Sequence, residues 1–68
     1  MDRKLAAQAL SWCDQLERAL QDNDQETVHT LRGKLVFHFA KAEEQDIRVA
    51  IECVRARAQQ VLNEPKEL

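Results

Sequence analysis

Between Asp24 and Asn63 the chain carries one glycine, Gly33, and no proline. Almost every other residue in that stretch tolerates an α-helix. The sequence therefore predicts one very long second helix, facing a first helix of about half its length. A long helix with a short partner cannot cover its own apolar face.

The first helix is expected over about residues 3–21, with Asp2 as its cap. Leu5, Ala9, Trp12, Leu16 and Ala19 recur at steps of three and four residues, and Ala6, Cys13 and Leu20 lie beside them. That spacing is one apolar stripe on a helix. Asp22-Asn23-Asp24 is the turn-like cluster of the interior, because Asp and Asn side chains bond nearby backbone N–H groups. Asn23 followed by Glu26 fits an N-cap with an acidic residue three positions on. So short a connection makes the two helices antiparallel neighbours.

The second helix is expected over about residues 25–62, with a frayed tail at 63–68 that holds Pro65. Its first stripe is Val28, Leu31, Leu35, Phe39 and Ala42; its second is Ile47, Ala50, Ile51, Val54, Ala58 and Val61. The polar run Glu43-Glu44-Gln45-Asp46 separates them, and the stripe changes phase across it. No residue there breaks a helix, so a continuous helix with a rotating face is expected. The competing arrangement is a three-helix monomer bent near Glu44. At 1.5 Å per residue the two helices would measure about 28 Å and about 55 Å. Trp12, Leu16, Val28, Leu35 and Phe39 would hold the hairpin. Ile47, Ile51, Val54, Ala58 and Val61 would stay in water unless a second subunit covered them. The expected fold is therefore an all-α antiparallel helical hairpin that forms a homodimer with a four-helix arrangement.

At 68 residues the chain fits one domain, whose core supplies little net stability by itself. Two cysteines, Cys13 and Cys53, are too few for a disulfide framework. Neither a signal peptide nor an apolar run of membrane-spanning length is visible. A cytoplasmic protein is the expectation. The net charge of −2 argues against strongly electrostatic nucleic-acid binding, while leaving room for a local basic stripe.

Lys34, Lys41, Arg48 and Arg55 recur every seven residues. On one straight helix they would share a face with Phe37, opposite the first apolar stripe. That face is either a solvated exterior, with Glu44 pairing Arg48 and Glu52 pairing Arg55, or a contact surface. Phe37 points to contact, because interface hot spots favour aromatic side chains and arginine. Phe37, Lys34, Lys41, Arg48 and Arg55 are thus the candidate partner-binding residues.

His29-Thr30-Leu31-Arg32-Gly33 resembles the His-x-Leu-Lys-Gly signature of histidine phosphotransfer domains. The resemblance implies His29 as phospho-acceptor on an exposed helix face and Arg32 as its neighbouring positive charge. It covers about five residues, and Lys34 stands where that family has a small one. His38-Phe39 followed by Glu43-Glu44 resembles the His-Phe-x-x-Glu-Glu string of hemerythrin-like iron proteins. Here the acidic pair is displaced by one residue, about 100° around a helix, and the other ligands are missing. No metal or other cofactor is expected, and the two cysteines fit no zinc spacing. The chain also lacks a glycine-rich phosphate loop and a Ser/His/Asp set, so a non-enzyme is expected.

Two resemblances rest on layout. In size and hairpin arrangement the chain is similar to the Rop family of dimeric four-helix bundles, which grip paired RNA loops with basic residues and an aromatic. It also resembles small phage-encoded proteins that inactivate host regulators, including the anti-activator of LuxR-type quorum-sensing receptors. The first implies an RNA partner, which the interleaved Glu44 and Glu52 disfavour. The second implies a stoichiometric inhibitor or adaptor whose partner is a regulatory protein. That is the expected function.

Overall fold

A computed structural model describes residues 2–39 and 43–64. Its helices are α1, Arg3–Gln21; α2, Gln25–His38; and α3, Ile47–Asn63. The chain is all-helical in these regions.

Local chemistry sets the ends of α1 and α2. The Asp2 carboxylate accepts the Leu5 N–H at 2.7 Å and caps α1. Asp22 N–H donates to the Arg18 carbonyl at 2.9 Å, and Asp24 N–H donates to that of Ala19 at 2.9 Å. Between them Asn23 is left-handed, with φ 57°, a conformation that asparagine adopts more readily than most residues. The cap of α2 is consequently Asp24, one residue after the expected Asn23. Its carboxylate accepts the Thr27 N–H at 3.2 Å and the Thr27 hydroxyl at 2.6 Å. The Thr27 hydroxyl bond, followed by the backbone bond, lowers the Asp24 pKa below its ordinary value.

The expected continuous second helix is not what forms. α2 ends at His38, Phe39 turns to extended backbone, and Asp46 caps a separate α3 by accepting the Arg48 N–H at 3.0 Å. The phase of the apolar stripes explains the break. Leu35 and Ile51 are sixteen residues apart, so on one straight helix they would point about 160° away from each other. Only one of the two stripes could then reach α1. Breaking the helix brings both to it. Each Ile or Val so buried gains about 1.5–3 kcal/mol, which outweighs the small per-residue helix preference of the polar run.

The chain doubles back in an unusual way. Trp12 stacks on His38, so α2 runs antiparallel to α1 from the turn. Arg55 meets Asp14 and Glu17, and Arg48 lies beside Gln21, so α3 also runs antiparallel to α1. α2 and α3 are therefore parallel to one another, with α1 packed against both. The link between them returns past α2, where the Arg32 guanidinium donates to the Glu44 carbonyl at 2.5 Å.

α1 is the shared core element. It buries Ala6, Ala9, Cys13, Leu16 and Ala19. Leu31, Leu35 and Phe39 meet it from the α2 side, and Ile51, Val54, Ala58 and Val61 from α3. Trp12, Val28 and Ile47 pack partly buried at the edges. The α1–α3 contact is built largely from small side chains: Ala6, Ala9, Cys13 and Ala58 have no exposed surface. Small residues at such a seam let two helices approach closely.

This packing corrects the expected dimer interface. Ile51, Val54, Ala58 and Val61 are buried inside one chain, and Ile47 is partly covered. No second subunit is needed to shelter them. Ala42, Lys41 and Pro65 lie outside the described residues.

Two measurements check this architecture. Leu16→Ala removes a fully buried side chain and should cost about 2–5 kcal/mol. In a chain this small that is much of the total stability, so the urea midpoint should fall sharply. Asp24→Ala should lower the midpoint at neutral pH and make no difference in acid. The folded-state pKa of Asp24 is depressed, so its contribution is present above the ordinary carboxylate range and is lost as pH falls through the folded value.

Candidate functional site: the outer face of α2

α2 buries little more than Leu31 and Leu35. Its outer surface carries Glu26, His29, Thr30, Gly33, Lys34, Phe37 and His38, all exposed. Phe37 is 83% exposed. Leaving a phenylalanine in water forgoes a large hydrophobic gain, which makes it the most conspicuous side chain on the molecule.

Phe37 is not isolated. His38 lies edge-on to it, with ring centroids 4.9 Å apart and planes at 82°. His38 also stacks on Trp12 of α1, at 5.8 Å and 20°. Lys34 Nζ sits 6.0 Å from the Trp12 ring centroid, the outer limit of a cation–π contact. Helical spacing puts Lys34 one turn before His38 and three residues before Phe37. The hairpin thus assembles an aromatic row, Phe37–His38–Trp12, with an ammonium group beside it. Trp12, expected to hold the hairpin, is partly buried. Its pairing with His38 crosses two helices and has no local sequence signal.

The basic residues at heptad spacing do not form one face. The break after His38 separates Lys34 from Arg48 and Arg55, and Lys41 falls outside the described residues. Arg48 is exposed at the start of α3. Arg55 is held by α1: its guanidinium meets the Asp14 carboxylate at 2.9 Å and that of Glu17 at 2.5 Å. These pairs replace the expected one with Glu52. Arg55 is therefore engaged within the chain. An open groove of about 450 Å³ lies between the end of α1 and the start of α3, lined by Glu17, Leu20, Arg48, Ile51 and Arg55 among others. Its charges are mixed, and it brings together no nucleophile and base.

His29 is exposed in the second turn of α2, and Gly33 lies one turn on. A Cβ at Gly33 would meet nothing within 4 Å. Among the described residues no neighbour requires this glycine. Arg32 is turned to the Glu44 carbonyl. Among the described residues no three His, Cys, Asp or Glu side chains come together as a metal-binding group. No described helix is long and apolar enough to cross a membrane.

Both cysteines are free thiols. Cys13 is fully buried and donates weakly to the Ile51 carbonyl at 3.8 Å. Burial raises its pKa; Arg55 acts in the opposite sense, and Asp14 and Glu17 add to the rise. Comparison with protein-family models, curated proteins and solved structures found no match to this chain.

The thiols report on the packing. A colourless disulfide reagent that releases a chromophore should modify the half-buried Cys53 in the folded protein and reach Cys13 only after denaturant is added. Two thiols reacting at equal rates in buffer would contradict the tight α1–α3 seam.

Proposed function

We propose that the protein is a small non-catalytic binding module, and that it acts on a partner protein through the open face of α2. The observation that supports this most directly is Phe37, left in water next to Lys34 on a helix whose other side builds the core. An aromatic anchor flanked by a cation is the composition that protein interfaces concentrate at their energetic centre. An exposed aromatic side chain on a convex helix face suits contact better than chemistry. Of the earlier candidates, Phe37 and Lys34 remain the binding residues, Arg48 is a separate surface charge, and Arg55 serves the fold. A regulatory protein as partner, and an inhibitory or adaptor role, remain the natural use of so small a contact device. RNA is less suited, because the net charge is −2 and Arg55, one of the candidate cations, is already paired with Asp14 and Glu17.

Phe37→Ala tests the reading. It should leave helicity and melting unchanged, since Phe37 supports no core contact. It should cost about 2 kcal/mol or more of partner affinity, as a hot-spot residue does. The immobilised chain and its Phe37→Ala variant can be compared on one cell extract. A protein retained by the first and lost from the second identifies the partner. Unfolding of the variant, or identical retention by both, rejects Phe37 as the anchor.

A second reading has its own observation. His29 is exposed, and the surface beside it at Gly33 is open, which matches the signature of histidine phosphotransfer domains. On that reading a phosphorylated response regulator would label His29, and His29→Ala would abolish the label. A chain that stays unlabelled removes it.

A further inference from the structure

The aromatic row has a charge setting that specifies its partner further. Lys34 and His38 border Phe37 and Trp12. On α1, the residues one turn either side of Trp12 are Gln8 and Gln15, with Ser11 adjacent; all are exposed and uncharged. The nearby acids of α1, Asp14 and Glu17, are drawn to Arg55 on the α3 side. On α2, Arg32 and its Glu44 contact lie on the flank opposite Lys34, because two residues turn a helix by about 200°. Glu26 is eight residues before Lys34, roughly 12 Å along the axis. A chain of net charge −2 therefore presents a strip of aromatic surface with the Lys34 ammonium group beside it.

We infer that this strip takes an acidic segment of a partner protein. An apolar side chain of that segment lies across the row formed by Phe37, His38 and Trp12, and its carboxylates face Lys34. The inference rests on the contact function proposed above and adds the partner's chemistry. Complementary charge at the rim governs specificity and association rate, while the aromatic contact supplies the affinity. Single-stranded RNA also stacks on aromatic rows, but it needs a cationic track along its backbone. One lysine and one histidine do not make that track.

The test uses two synthetic amphipathic helical peptides that share one leucine stripe. One is flanked by glutamates and the other by lysines. Isotope-labelled protein is titrated with each at low and high salt. The glutamate peptide should move the Trp12 indole signal and the amide signals of Lys34, Phe37 and His38, with affinity about tenfold above that of the lysine peptide and reduced by salt. Lys34→Glu should reverse the preference. Phe37→Ala should abolish both responses with the helical spectrum intact.

The outcomes separate the two levels of the argument. Loss of binding in Phe37→Ala without reversal in Lys34→Glu keeps the contact function and overturns the acidic partner. Shifts that map to α3, or equal response to both peptides, overturn it as well. So does a stronger response to oligouridine than to the glutamate peptide, or a concentration-dependent dimer lost in Phe37→Ala. No response to either peptide at millimolar concentration also overturns it.

Discussion

The contact of α1 with α3 through small side chains is the interaction on which the rest of the molecule depends. Ala6, Ala9 and Cys13 bring the backbone of α1 close to Ala58 and its neighbours, so Ile51, Val54 and Val61 reach the core without a second chain. A larger residue at any of these positions would force the helices apart or strain the seam. With one flank of α1 occupied by α3, α2 covers another flank and keeps its outer surface free. The exposed aromatic row exists because the core is completed elsewhere.

Charge follows the same division. Arg55 meets Asp14 and Glu17 on the α3 side, where the pairs help fix the register of the two helices. Surface pairs of this kind contribute modestly to stability. Helix geometry already turns Asp14 about 200° and Glu17 about 140° from Trp12, and Arg55 holds them there. The polarity of the two sides of the molecule is thus set by which helix each α1 side chain faces.

Much of this was legible in the sequence. The stripe of α1, the Asp22–Asp24 turn and the antiparallel hairpin follow from spacing and turn chemistry. The break after His38 was not, because residues 39–46 contain neither glycine nor proline and intrinsic preference there favours a helix. The phase change between Leu35 and Ile51 was the signal, and its meaning depends on where α1 lies. Tertiary packing decided it, as it does wherever propensity is weak. The cap fell on Asp24 because Asn23 was needed in the left-handed position, a choice that two adjacent capping residues leave open. Phe37 could be singled out from its place opposite the stripe. The His38–Trp12 stack could not, since it requires the register of one helix against another.

The doubled-back path also bears on the order in which the molecule assembles. α1 and α2 are joined by a tight turn, so their contacts close short loops. The seam of α1 with α3 joins residues such as Cys13 and Ile51, which are 38 positions apart. Closing the longer loop costs more chain entropy and comes later on average. The local hairpin alone buries little, so it has small stability until the third helix arrives. The last segment to dock is therefore the one that locks the whole, and a chain cut short before Ile47 would be left with a hairpin unable to hold its shape.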